Sequence, residues 1–252
     1  MRTIRFLLFI LLSFSVTCAW ADILPLPWQK RHPRPPIGER PQPTASETRV
    51  TMAAANVEIR IKKMAAAPGA GEKTAGLLAQ VTGEFDMVCS AAPQESKDLD
   101  LALPIGYEDE KPAAPVRFAV AIDGKPAADV KTTTWPVTDE NGRPRIQWGY
   151  AWRLAGLKGG QKRRIVVEYS MVLPQNEGKA NFIYFLRSGA LWDGPVGQEI
   201  VRVTADQGLR LEILSPTELK PEKSSDTLLT WRITNAKPAE DIRLIVVPGG
   251  KL

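Results

Sequence analysis

Glu84 and Asp86 are the side chains in this sequence best spaced for general acid–base chemistry. They stand two apart in a run of alternating apolar and polar residues. Both therefore project from one face of a strand, about 7 Å apart. Glycosidic hydrolysis asks for two carboxylates at roughly 5–10 Å with separated pKa values, and this spacing allows it. The same alternation also sets charged side chains on the water-facing side of a sheet, which is the plainer reading. Nucleophilic chemistry has less to work with, since the chain holds one His and two Cys. His32 sits between Arg31 and Pro33 with no acid to orient it. Cys89 continues the apolar phase of Val81, Phe85 and Met87 and reads as a small buried hydrophobe. Such a composition excludes Cys/His zinc clusters, His-based triads and disulfide-dense scaffolds.

Two further stretches hold chemical residue types without the pattern that chemistry needs. Gly69-Ala70-Gly71-Glu72-Lys73-Thr74 has the glycines, Lys and Thr of a phosphate loop, but Glu72 breaks the required Gly-Lys-Thr and opposes phosphate. Glu108-Asp109-Glu110 is a charge run between Gly106 and Pro112. It lacks the further oxygen ligands at set spacing that calcium requires. No cofactor and no metal site is expected.

Aromatic residues are the more suggestive feature. Seven Trp occur, and Trp148, Tyr150 and Trp152 fall on one face of a single strand pattern. An exposed row of this kind stacks on sugar rings or builds a protein interface. A buried row is core, and the small or polar Gln147, Gly149, Ala151 and Arg153 on the opposite phase favour core. Trp192 lies in a Gly/Pro turn, where it either packs against the strands or presents its ring to a ligand. Trp148, Tyr150, Trp152 and Trp192 are thus the candidate contact residues.

These residues need strands to hold them. Period-two alternation runs through Val57-Ile59-Ile61, Leu78 to Cys89, Leu99-Leu101-Leu103 and Val116 to Ile122. Asp123-Gly124 then marks a tight hairpin, with a return strand expected through Ala127 to Thr134. Asn141-Gly142 marks another turn. Further strands are expected at Ile146–Trp152, Arg164–Leu173, Phe182–Leu186, Glu199–Thr204, Leu209–Leu214, Leu228–Thr234 and Ile242–Val247. No segment keeps a helical period. The pattern predicts an all-β fold, a sandwich of antiparallel strands in two packed β layers, with a point of subdivision near Pro174–Gly178.

The N-terminus reads as an address. Arg2 and Arg5 precede an apolar run from Phe6 to Val16, and Ala19-Trp20-Ala21 supplies small residues at a cleavage site. This is the pattern of a secretory signal peptide over residues 1–21, cut before Asp22. The run is shorter than the roughly 20 residues a membrane span needs. A lipoprotein acylated at Cys18 is the minor alternative, although Ser15-Val16-Thr17 fits it poorly. Cleavage removes two of 33 basic residues and none of the 28 acidic ones, leaving a net charge of +3. That is too little for a nucleic-acid partner. Residues 22–48 follow as a basic linker with seven prolines, read as an extended or disordered spacer, and the β domain covers 49–252.

One stretch carries a family likeness. Tyr184-Phe185-Leu186-Arg187-Ser188-Gly189-Ala190-Leu191-Trp192-Asp193-Gly194-Pro195-Val196-Gly197 resembles the bacterial exported domain-of-unknown-function family 4424. Its members have an aromatic strand, a Gly-x-x-Trp-x-Gly-Pro-(Ile/Val)-Gly turn and a further strand. Ile165–Leu173 and Pro238-Ala239-Glu240-Asp241-Ile242 also suit the pattern. The resemblance implies an exported, β-rich protein and no particular activity. Together these readings favour a non-catalytic protein, periplasmic or secreted, that binds or scaffolds an envelope protein or glycan. The competing expectation is a carbohydrate-binding or carbohydrate-active protein that uses the aromatic platforms.

Overall fold

The structure is a computed structural model that describes residues 37–39, 42–43, 49–64, 76–107, 115–138, 144–186 and 192–249. Its strands in chain order are β1 (Ile37–Glu39), β2 (Gln42–Pro43), β3 (Val50–Lys63), β4 (Leu77–Cys89), β5 (Ser96–Tyr107) and β6 (Arg117–Ile122). There follow β7 (Lys125–Pro126), β8 (Lys131–Thr138), β9 (Pro144–Lys158), β10 (Lys162–Leu173), β11 (Gln175–Asn176) and β12 (Lys179–Phe185). The last are β13 (Val196–Ala205), β14 (Leu209–Ser215), β15 (Lys223–Ser225), β16 (Leu228–Ala236) and β17 (Ile242–Pro248). The fold is all-β and sandwich-like, as the alternation predicts.

Three sheets form. An eight-stranded sheet runs β15-β16-β13-β3-β4-β10-β6-β7. A five-stranded sheet runs β1-β12-β17-β14, with β11 also on β12, and a four-stranded sheet runs β2-β5-β9-β8. Pairing is antiparallel except for β3 with β13 and β1 with β12. The chain leaves and re-enters the large sheet several times, so each smaller sheet is assembled from distant segments. At Pro174, the expected point of subdivision, the chain passes from β10 in the large sheet to β11 and β12 in the five-stranded one.

Period two makes each strand two-faced, and the registers align those faces into rows. One row crosses the large sheet as Trp231, Val201, Val57, Gly83, Val167 and Val120. The next runs Leu229, Val203, Ile59, Val81, Tyr169 and Phe118. Apart from half-buried Phe118, the large side chains of these rows are buried. Beneath them lie Phe182, Tyr184, Leu244 and Val246 of the five-stranded sheet and Leu101, Leu103 and Trp152 of the four-stranded one, all in the same buried cluster. Each fully buried Val, Leu or aromatic side chain contributes roughly 1.5–3 kcal/mol, so these rows supply most of the drive to fold.

Two sequence expectations need correction. The return strand after Asp123-Gly124 is only Lys125–Pro126. Pro126 has no N–H to continue the ladder, and the chain turns at Asp129, whose φ is 55°. Lys131–Thr138 then joins the other sheet, against β9. The proline-rich stretch 22–48 is also not wholly a spacer. Ile37–Glu39 lies parallel to Ile183–Phe185, and Gln42–Pro43 pairs with Leu101–Ala102. Among the described residues ladder pairing thus begins at Ile37, ahead of the boundary expected at residue 49. Pro43 lies on an edge strand, where a missing N–H is tolerated. The leader, His32, Trp28, the Gly69–Thr74 stretch, Glu108–Glu110 and the Asn141-Gly142 turn lie outside the described residues.

Close approach of β13 to β3 fixes one glycine. A Cβ on Gly197 would stand 2.4 Å from the Ala53 carbonyl oxygen. That site lies at the bulge between Met52 and Ala54, where β3 changes register. Gly197→Ala should therefore lower stability by about 1–3 kcal/mol, because the obstacle is backbone rather than a movable side chain. Chemical denaturation compared with Gly194→Ala, a positive-φ turn site with more open surroundings, checks the assignment.

Candidate functional site

The strands bring the candidate carboxylates into a charged lattice on the outer face of the large sheet. Register sets Arg164 opposite Asp86 and Val166 opposite Glu84. Lys162 lies 2.8 Å from Asp86 and Arg164 Nε donates to it at 3.1 Å. Arg164 also reaches Glu84 at 3.8 Å. The lattice continues with Arg202 and Arg60 on Glu58, Arg117 on Glu168 and Arg232 on Glu222. Burial of Asp86 opposes its ionisation, but the hydrogen bonds and charges of Lys162 and Arg164 outweigh that and hold its carboxyl below the ordinary value. A general acid needs its pKa raised, so Asp86 is tuned the wrong way for that role. Asp100, gripped by both Arg153 donors at 2.8 and 3.2 Å, is lowered in the same way.

A depression of about 360 Å³ lies over β3 and β13 on this face. Glu58, Arg60, Lys62, Arg202, Thr204 and Asp206 contribute to its lining. Several of these groups are directed at the protein itself. Glu58 is shared by both arginines, Asp206 accepts the Lys63 N–H at 3.0 Å, and Thr204 Oγ1 donates to the Ile59 carbonyl at 3.4 Å. Among the described residues no group of three or more His, Cys, Asp or Glu is placed to hold a metal ion.

The aromatic row is packed against the interior to different degrees. Trp152 is 3% exposed, while Trp148 and Tyr150 are half-buried against the core. Phe118 of β6 stacks on Tyr150 with ring centroids 4.0 Å apart and planes 11° from parallel. The same ring meets Trp152 at 6.3 Å, tilted by 50°. The row that reads as a ligand platform is therefore where the four-stranded sheet meets the large one. An aromatic pair of this kind adds about 0.5–1.5 kcal/mol to what its burial provides.

Trp192 is 2% exposed, so its ring has no face open to a ligand. The turn that holds it is tied to two strand ends. Asp193 donates its N–H to the Val50 carbonyl at 3.0 Å, and its carboxylate accepts the Ser90 hydroxyl at 2.8 Å. Ser90 N–H donates to the Arg49 carbonyl at 2.8 Å, and that oxygen lies 2.9 Å from Ser90 Oγ, whose single proton it shares with the Asp193 carboxylate. Gly194, at φ 75°, makes the bend that swings the chain into β13. Cys89, adjacent, is 1% exposed.

Two buried carboxylates escaped the sequence reading. Glu199 has no exposed surface, and Tyr184 donates its hydroxyl to it at 3.4 Å from the five-stranded sheet. Asp241 is 3% exposed at the start of β17. Glu199 shares its phase with Val201 and Val203, so an acid on an apolar phase was the available signal.

No family model matches the sequence, and no curated protein matches it. Solved structures do resemble the fold. A candidate nutrient-binding protein of Legionella pneumophila is 15% identical with a TM-score of 0.61, over 84% of this chain and 71% of that one. An M1 zinc metallopeptidase of Deinococcus radiodurans is 15% identical, over 81% of this chain but only 43% of the other, with a TM-score of 0.36. An aminopeptidase N family protein of Idiomarina loihiensis gives 9% identity, 76% and 29% coverage and again 0.36. The first likeness is one of fold; the other two are too slight to bear on this chain.

Two substitutions test these assignments. Trp192→Ala should cost about 3–5 kcal/mol in chemical denaturation, as removal of a buried Trp does. Asp86→Asn should cost about 1 kcal/mol at pH 7, since two charge-assisted hydrogen bonds weaken on a partly wet face. A lowered folded pKa contributes stability above the unfolded value, here 3.8, and loses it as pH falls through the folded value. The gap between wild type and Asp86→Asn should thus be full above about pH 5 and close below pH 3.8. Denaturation midpoints across pH 2–7 measure it.

Proposed function

We propose that this chain is an exported, non-catalytic β-sandwich protein that binds or scaffolds a component of the cell envelope, in the periplasm or outside the cell. The observation that carries the reading is the condition of the carboxylates. Glu84 and Asp86, the pair suited to acid–base work, are joined through Arg164, and Asp86 is held more acidic than usual. Export is supported by the basic, apolar and small-residue order of positions 1–21 and by the resemblance to family 4424. Among the described residues no helix is long and apolar enough to cross a membrane. The similarity to a candidate nutrient-binding protein supports binding rather than turnover. The competing carbohydrate platform would need an open aromatic row, and Trp152 is buried while Phe118 covers Tyr150.

The test starts from the exported form, purified from its cell envelope fraction. Its N-terminal residue should be Asp22, and it should show no turnover of glycan, ester or peptide substrates. Turnover lost in Glu84→Gln or Asp86→Asn would overturn the non-catalytic reading. A lipid-modified N-terminus at Cys18 would replace the soluble exported form with an anchored one.

A further inference from the structure

The depression over β3 and β13 is rich in donors whose partners are missing and poor in open acceptors. Parallel register sets Arg202 beside Glu58 and Thr204 beside Arg60, all on the outer phase of the large sheet. Lys62 follows Arg60 on the same face, about 7 Å further along the strand. Three cations, Arg60, Lys62 and Arg202, and two acids, Glu58 and Asp206, contribute to the lining. Most of the acceptors are engaged by the protein. Glu58 turns Oε2 to Arg60 and Oε1 to Arg202. Asp206 Oδ2 takes the Lys63 N–H at 3.0 Å, and the Thr204 hydroxyl is directed at the Ile59 carbonyl at 3.4 Å. The donors are not engaged in this way. At 3.6 and 3.5 Å the two arginine contacts are charge pairs rather than hydrogen bonds, so both guanidinium groups keep N–H donors for a further acceptor. Lys62 is half-buried, yet it has no ion-pair partner among the described residues.

We propose that this depression binds a small molecule through an oxyanion group, a phosphate or a carboxylate, held by Arg60, Lys62 and Arg202. A group that only accepts hydrogen bonds is the complement of a site whose donors lack partners. Guanidinium forks meet both kinds of oxyanion in a bidentate way, and a lysine ammonium adds a point charge. Glu58 has two opposed effects. It draws both guanidinium groups to one place, so less side-chain freedom is lost when a ligand arrives. Its own charge also repels an anion. The cations outnumber the acids, so the balance of charge still favours an anion. A cationic ligand would instead need the carboxylate oxygens that the arginines and the Lys63 N–H already hold. A volume of about 360 Å³ is of the size that small-molecule sites have. All three cations stand on strands, which fix their spacing better than a loop does. This inference depends neither on export nor on the absence of turnover, so each reading can fail without the other.

Anion titrations followed by heteronuclear NMR test it. The protein is titrated separately with inorganic phosphate and with acetate at pH 7, with chloride added to keep ionic strength constant. Saturating shifts at the Arg60, Lys62, Arg202 and Thr204 amides, with a Kd of about 1 mM, are expected for at least one of the two anions. The anion that saturates at the lower concentration names the group. Arg202→Gln and Lys62→Gln should each weaken binding about fivefold. Glu58→Gln should tighten it about two- to fivefold, because an opposing charge leaves the site. Arg117→Gln, on β6 and paired with Glu168 outside the depression, should leave the affinity unchanged. The proposal is overturned if neither anion gives saturating shifts at these amides. It is equally overturned if Arg117→Gln weakens binding as much as Arg202→Gln, the mark of diffuse surface charge, or if Glu58→Gln weakens it. Arg60→Gln takes the place of Arg202→Gln should that variant fail to fold.

Discussion

The parallel pairing of β13 with β3 is the joint on which the structure depends. It sets residues 198–205 beside 54–61, so strands far apart in sequence share one ladder. From that register follow the buried rows that run from Trp231 through Val201 and Val57 toward Val167. Parallel neighbours cannot be joined by a tight turn. The chain between them is instead used to build β4, β10, most of the four-stranded sheet, and β11 and β12 of the five-stranded one. Those sheets cover the apolar face that the large sheet would otherwise leave in water. Gly197 and the Trp192 turn lie at the entrance to β13, where the backbones come closest.

This joint explains why the candidates for chemistry act as structure. Trp192 and Asp193 fasten the entrance of β13 to Val50 and Ser90. Tyr150 and Trp152 face Phe118 because the four-stranded sheet closes over the end of the large sheet at β6. Glu84 and Asp86 fall on the opposite phase and meet Arg164 and Lys162 across the ladder. On an exposed face such pairs are worth little singly, on the order of 0.2–1 kcal/mol. Their larger effect is to keep the outside of a wide sheet polar, and at Asp86 the pairs with Lys162 and Arg164 also favour the ionised carboxyl. Glu199 reverses the pattern, since it faces inward to Tyr184 across two sheets.

Strand by strand, much of this was legible, because side-chain alternation is a local signal. Val57-Ile59-Ile61 and Leu99-Leu101-Leu103 announce their buried faces without reference to a partner. Sheet membership is not local. Ala127–Thr134 reads as the return of the Asp123-Gly124 hairpin, yet Pro126 and the turn at Asp129 send Lys131–Thr138 to β9. Ile37–Glu39 has too few residues for any period, and its strand character comes wholly from β12. For the candidate site, the core role of the aromatic row was visible in the small and polar residues between its members. The burial of Trp192 was not, because a turn has no phase to read. The salt-bridge lattice depends on the β4–β10 register, which no single segment contains.

If β13 on β3 is the joint, the amino- and carboxy-terminal halves must unfold together. Native-state hydrogen exchange of the β13 amides at Val201 and Val203 measures this most directly, against Val81 in β4 and Val167 in β10. The account predicts one common opening free energy, equal to that of global unfolding, with the same denaturant dependence at all four positions. Exchange at Val201 and Val203 through a separate, lower-energy opening, with Val81 and Val167 still protected, would contradict it.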